Sequence, residues 1–139
     1  MLQKRVLIID DEAHMRAAIR EFLERSGYLA SEAADGLDGL AKAESEHPHV
    51  ILLDIRLPGL NGYEVCRRLK GNPATQPIPV IVMTAYLDGP ISRLADEAGA
   101  MACILKPFRL EALLAMIQAV IAGTERRAKT KAKREGNPP

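Results

Sequence analysis

The chain has 139 residues, 47% of them apolar and 27% charged, which fits one folded domain and excludes a disordered or low-complexity chain. The formal net charge of +1 hides an asymmetry. Residues 124–139 carry six Lys/Arg against two Asp/Glu (+4), and the rest carry 13 against 16 (−3), so the body is mildly acidic and the tail basic.

Two cysteines, Cys66 and Cys103, stand in no Cys-x-x-Cys spacing, which argues against a disulfide or zinc framework and for free thiols in a reducing compartment. The N-terminus MLQKRVLIIDD lacks the apolar core of a signal peptide, and Leu110 to Ala122 is too short and interrupted to span a bilayer. The expectation is a soluble, cytoplasmic protein with no membrane partner.

Two periodicities alternate along the chain. Val6 to Ile9 is a short apolar run that suits a buried strand. Met15, Ala18, Ile19, Phe22 and Leu23 then form one helical stripe, stopped at Gly27. Tyr28 to Ala33 has the mixed polarity of an edge strand. A second helix follows Asp35-Gly36 and carries Leu37, Leu40 and Ala41 on its apolar face. Val50 to Leu53 is the third strand. The next helix follows Asn61-Gly62 with Val65, Cys66 and Leu69, and ends near Gly71-Asn72-Pro73. Val80 to Met83 is a strand, and a weak helix over Pro90 to Ala98 presents Ile91, Leu94 and Ala95. The last strand, Ala102 to Leu105, leads into the strongest helix, with Leu110, Leu113, Leu114, Ile117, Val120 and Ile121. The order βαβαβαβαβα implies right-handed crossovers and a parallel sheet covered on both faces. Residues 1–122 form this domain. Residues 123–139 lose apolar periodicity and are expected to be a basic, flexible tail, into which the last helix can run before it frays. The tail has no aromatics for base stacking, so no direct nucleic-acid partner is expected.

Ligands of open parallel α/β sheets bind beyond the carboxyl ends of the strands. Four of the five runs deliver polar groups there: Asp10-Asp11, Asp54, Thr84 and Lys106. Taken singly, each has a bland explanation, such as Asp11 capping a helix or Lys106 lying in solvent. Taken together they have a shared chemistry. Crowded carboxylates raise one another's pKa, and a Mg²⁺ ion relieves that through carboxylate, water and phosphate oxygens. A lysine ammonium and a threonine hydroxyl can each hold a further phosphate oxygen, and an aspartate can attack phosphorus to form an aspartyl phosphate. Positioning and charge neutralisation do most of the work of phosphoryl transfer. His14, His47 and His49 lack metal-ligand spacing, and there is no Gly-x-x-x-x-Gly-Lys loop.

These segments closely resemble the receiver domain of bacterial two-component response regulators. The resemblance rests on VLIIDDE (6–12), LLDIRLPGLNG (52–62), VIVMTA (80–85), Gly99-Ala100 and LKPF (105–108), and covers roughly residues 4 to 121. It implies a flavodoxin-like (βα)5 sheet of strand order 2-1-3-4-5. By resemblance, Asp54 is the phosphoacceptor, Asp10 and Asp11 position Mg²⁺, and the backbone carbonyl of Arg56 completes the metal site. Thr84 and Lys106 are the phosphate-sensing hydroxyl and the phosphate-pairing lysine, and the Lys106-Pro107 bond is cis. One position departs from the family. Where a tyrosine or phenylalanine usually swings inward, this chain has Cys103. Its conformational readout is therefore expected to rely on Thr84 and the loop after it, with Tyr86 or the weak helix sharing the task.

The implied protein is a signalling switch and not an enzyme in the ordinary sense. A sensor histidine kinase or a histidine phosphotransfer protein supplies the phosphoryl group. The output is a contact with a downstream protein that the sequence does not name, and a homodimer stays open. Alternatives are a receiver at the front of a longer regulator with a DNA-binding or enzymatic output domain, and, more remotely, an aspartate-nucleophile phosphatase. That last class carries Asp-x-Asp at the end of its first strand, whereas here the aspartates are adjacent and the isolated Asp54 lies on the third. Arg56 and Tyr86 stand two residues beyond Asp54 and Thr84, where the family tunes dephosphorylation, and both are bulky enough to obstruct an attacking water. The phosphoryl group is expected to outlive that of an Arg56→Asn/Tyr86→Ala variant. Equal or faster radiolabel decay in the parent would contradict this.

Overall fold

A computed structural model describes residues 3–85, 93 and 95–134. Five strands, β1 (Arg5–Ile9), β2 (Leu29–Ala33), β3 (Val50–Asp54), β4 (Val80–Thr84) and β5 (Ala102–Leu105), form one sheet in the order β2-β1-β3-β4-β5. All four pairings are parallel. The helices are α1 (Ala13–Arg25), α2 (Gly36–Glu46), α3 (Gly62–Gly71) and α4 (Leu110–Arg134). The weak helix expected over Pro90 to Ala98 lies largely outside the described residues, within which 93 and 95–97 are helical.

Alternation along the strands sorts the core into two layers. Leu7, Ile9, Ile51, Leu53, Val80 and Val82 face one layer with α3 residues Val65, Cys66 and Leu69. Val6, Ile8, Val50, Leu52, Ile81 and Met83 face the other with Ile19 and Leu23 of α1 and Leu113, Ile117 and Ile121 of α4. The central strands β3 and β4 are buried at every residue, which is why they read as continuous apolar runs.

Two helices begin on side-chain caps. Asp35 accepts from the Asp38 N–H at 2.8 Å, and Asn61 accepts from the Glu64 N–H at 3.0 Å. Helix α1 begins after Glu12 with no side-chain cap, so Asp11 is not the cap that its position invites.

The face of α2 differs from expectation. Leu37 is 66% exposed and Ala41 is exposed, while Gly36, Gly39 and Ala43 are buried with Leu40 against the core. The helix lies so close to β1 that a Cβ on Gly39 would meet Ile9 Cδ1 at 2.5 Å. Glycines occupy the contact, and a pattern of apolar side chains does not register them. Ala18 of α1 is likewise exposed, and that stripe narrows to its larger members.

Helix α4 does not stop near residue 122, where apolar periodicity ends, but continues through residue 134. Residues 124–134 contain two alanines and six Lys/Arg, good helix formers that sustain backbone structure without an apolar face. Lys4 bonds Glu125 at 2.6 Å, tying the first turn of this extension to the N-terminal end of the sheet. Among the described residues, no helix is long and apolar enough to cross a membrane. His47 caps α2 in the left-handed conformation, and His49 Nδ1 accepts from the Arg5 N–H at 2.9 Å, so these histidines have local structural roles.

The turn after β3 is tightly packed against backbone. Gly59 has φ +73°, in the left-handed region. The Gly62 N–H donates to Ile55 O at 2.9 Å, and a Cβ there would meet Asp54 O at 2.5 Å and Ile55 Cα at 2.7 Å. Those neighbours are backbone and cannot swing aside. Gly62→Ala should therefore cost about 1–3 kcal/mol in urea unfolding, whereas Gly71→Ala, with nothing within 4 Å, should cost little.

Candidate functional site

The strand register brings the polar ends together. Ile9 is level with Leu53, Asp54 with Met83, and Thr84 with Leu105. Asp10, Asp54, Thr84 and Lys106 therefore end at one edge of the sheet. Asp10 and Asp54 continue the alternate row that faces α1 and α4, and Lys106 continues the same row of β5.

Asp10 is fully buried and Asp54 is 7% exposed, whereas Asp11 is exposed. Lys106 Nζ donates to Asp10 Oδ2 at 3.1 Å and lies 3.4 Å from Asp54 Oδ2. Asp10 Oδ1 accepts from the Glu12 N–H at 2.9 Å, and Asp54 Oδ1 accepts from the Arg56 N–H at 3.2 Å. Thr84 is buried at the end of β4, and its carbonyl accepts from the Lys106 N–H at 2.6 Å. The Lys106–Pro107 peptide bond is cis. Arg56 is exposed. Cys103 is half-buried on β5, level with Val82, against the α3 side of the core, and both thiols are free. Tyr86 lies outside the described residues.

One ammonium serves two buried carboxylates. Burial raises the Asp54 carboxyl above the usual range, the Asp10 charge raises it further, and Lys106 and the Arg56 N–H only partly counter this. Burial alone would lower Lys106, but its hydrogen bond to Asp10 and the charges of both carboxylates hold it above its ordinary value. The directions agree with the distances, because the lysine sits closer to Asp10 and leaves Asp54 undercompensated.

Carboxylate oxygens of Asp10, Asp11 and Asp54 lie within 4.8 Å of one another. At that separation two unit charges repel by about 3 kcal/mol in an effective dielectric of ~20. Three acids against one lysine leave a local excess of negative charge on hard oxygen donors. That donor set fits Mg²⁺, which takes a few carboxylates and fills its shell with water or phosphate oxygens. Among the described residues this is the sole acidic or histidine cluster with such spacing.

The sequence profile of the response regulator receiver domain matches residues 6–118. The chain belongs to this family. Response regulator MprA of Mycobacterium tuberculosis is 38% identical over 122 residues, covering 87% of this chain and 52% of that protein. The chain thus spans about half the length of the curated relatives it matches. Among solved structures, a CheY-like receiver domain protein from Methanospirillum hungatei superposes with TM-score 0.85 at 32% identity, covering 91% of this chain and 99% of that one. The receiver domain of a Pseudomonas aeruginosa sensor histidine kinase, whose active-site cleft coordinates a magnesium ion, gives TM-score 0.81 at 27% identity over 87% of this chain and 99% of that one.

The receiver domain brings Asp10, Asp11, Asp54, Thr84 and Lys106 to one edge, as the strand-end pattern implies. Sequence reasoning missed the half-buried Arg16, whose Nη1 donates to Asp10 O at 2.7 Å. Its only signal was a basic residue one helical turn past the acidic pair. Gly62 lies beneath the Asp54 carbonyl, a contact that the sequence, which marks only a helix start after Asn61-Gly62, does not signal.

The raised carboxyl of Asp54 has a consequence for metal-free stability. Its proton is bound more tightly in the folded chain than in the unfolded one. The ionised form therefore lowers stability above the folded pKa, and this penalty fades as pH falls through that value toward the unfolded one. With EDTA at neutral pH, Asp54→Asn should raise Tm. The difference from the parent should shrink as pH falls into the acidic range, as followed by circular dichroism melts.

Proposed function

We propose that this receiver domain is a phosphorylation-controlled switch whose acceptor is Asp54, with a histidine kinase or histidine phosphotransfer protein as donor. The observation that carries this reading is the undercompensated Asp54 carboxylate beside Asp10, Asp11 and Lys106 at the carboxyl edge of the sheet. Asp10, Asp11 and Asp54, with the Arg56 carbonyl, would hold Mg²⁺. The ion, when bound, supplies neutralising charge and orients phosphate oxygens.

Transfer is a displacement at phosphorus. A carboxylate oxygen of Asp54 forms the new P–O bond as the P–N bond to the donor imidazole breaks, and the electron pair leaves on nitrogen. The product is an acyl phosphate, which water later hydrolyses back to the carboxylate. Lys106 is placed to release one carboxylate contact and take up a phosphoryl oxygen, and the Thr84 hydroxyl would move to take another. This movement beside β5 would carry the signal to a face made by the weak helix expected over Pro90 to Ala98, β5 and α4, where a downstream protein docks. The site works in the cytoplasm on this reading. Because no aromatic stands at Cys103, Thr84 and the segment after it carry the readout.

A second reading, a receiver that controls the output segment of a longer regulator, is favoured by the half-length coverage of the curated relatives. The phosphoacceptor chemistry is the same in both.

The test is acetyl phosphate with Mg²⁺, read by intact-mass spectrometry. The parent should gain one phosphoryl group, EDTA should prevent this, and Asp54→Ala should gain none. Lys106→Ala should slow the gain by about 10²-fold, within the range for loss of a preorganised charge-stabilising donor. Turnover of added phosphomonoesters without a stable adduct would instead identify a phosphatase.

A further inference from the structure

We infer that Arg16, braced by Glu32, is a positioning residue that holds Asp10 in its metal-binding orientation. This rests on the Mg²⁺ reading above and extends it to a group that touches neither metal nor phosphate.

Asp10 follows the last residue of β1, so its carbonyl lies past the end of the β1–β3 ladder. It is fully buried, and an unpaired carbonyl there would be costly. Arg16 Nη1 supplies the partner at 2.7 Å. The Asp10 N–H donates to Ala33 O at 3.1 Å, Oδ1 accepts from Glu12 N–H at 2.9 Å, and Oδ2 accepts from Lys106 at 3.1 Å. Each polar atom of Asp10 is thus engaged. The two peptide groups that flank the Asp10 Cα, and so set the direction of its carboxylate, are held by β2 through the N–H and by Arg16 through the carbonyl.

Arg16 is itself fixed. Its Nε donates to Glu32 Oε1 at 3.1 Å, with the two side chains 16% and 25% exposed. Glu32 also accepts from Arg20 Nη1 at 3.0 Å, and its backbone carbonyl accepts from Lys42 Nζ. A continuous polar chain therefore runs from α2 through β2 to α1 and ends on Asp10. It explains the charged residue on a strand of mixed polarity: Glu32, level with Ile8, faces α1.

The chemistry of the grip is selective. Arg16 bonds the carbonyl of Asp10 and leaves the carboxylate oxygens to Lys106, Glu12 and a metal. Glu32 offsets its positive charge. An unbraced guanidinium would be drawn to the acidic cluster and compete with a divalent cation.

Charge and positioning predict opposite signs. Removing a cation near three carboxylates should tighten Mg²⁺ binding if Arg16 acts through charge alone. It should weaken binding if Arg16 orients Asp10. Outer-shell partners of metal ligands are typically worth about 10–100-fold in affinity.

The experiment is calorimetric titration of the folded, full chain with MgCl₂, paired with the Mg²⁺ dependence of acetyl phosphate labelling. Arg16→Gln should weaken Mg²⁺ binding about tenfold and move the labelling curve to higher Mg²⁺, with the rate recovering at saturation. Arg16→Lys should recover part of the loss. Arg20→Gln removes a similar charge and a Glu32 partner without touching Asp10, and should leave affinity unchanged. Arg16→Gln binding as tightly as the parent or tighter would overturn the inference, and so would equal losses in Arg16→Gln and Arg20→Gln. If Arg16→Gln does not fold, Arg16→Lys decides, because it keeps the charge and changes only the hydrogen-bond geometry: weaker binding than the parent supports the inference and parental affinity refutes it. Absence of Mg²⁺ binding in the parent would instead reject the metal reading beneath it.

Discussion

One ammonium shared by two buried carboxylates organises this molecule. Lys106 reaches Asp10 and Asp54 at once, while Asp11 adds a third acid from the exposed side. A single lysine cannot neutralise this cluster, and burial denies it the screening that water gives surface charges. The pair is therefore arranged less for stability than for exchange. Buried ion pairs add little net stability because desolvation offsets their attraction. An undercompensated acid beside a lysine ammonium is, however, a donor set that suits a divalent cation.

The fold exists around that edge. Parallel pairing aligns the carboxyl ends of β1, β3, β4 and β5, so residues 10, 54, 84 and 106 converge although they are far apart in sequence. Two apolar layers cover the sheet from either side and bury every residue of its central strands β3 and β4. The turn from Asp54 into α3 leaves the edge open because Gly62 lets the helix begin against the Asp54 carbonyl. Ordinary side chains at these contacts would move the helix, and with it the loop that follows Asp54.

Polar structure on the α1 side supports the same site. Arg16, Arg20, Glu32 and Lys42 link two helices and an edge strand. Isolated surface ion pairs contribute little, but this chain of contacts ends on the backbone carbonyl of the buried Asp10. On the opposite layer, Cys103 occupies the place of the usual aromatic and packs half-buried against the core. A thiol there has less bulk than an aromatic ring.

The sequence by itself determined the order of elements, the parallel sheet and the strand-end acids, because period-two and period-3.6 patterns and continuous apolar runs report burial directly. It also located the polar edge, since Asp10, Asp11, Asp54, Thr84 and Lys106 each close or follow a recognisable run. Tertiary structure alone decided what apolar patterns do not encode. The buried face of α2 runs through Gly36 and Gly39, where close backbone approach replaces side-chain bulk. Helix α4 outlasts its apolar stripe because backbone propensity and a tie from Lys4 to Glu125 sustain it. The hold of Arg16 on Asp10 depends on a helix crossing a strand end at one distance, and no spacing in the chain specifies that distance. Patterns of hydrophobicity locate the edge where the acids meet, and only packing in three dimensions sets how firmly each acid is aimed.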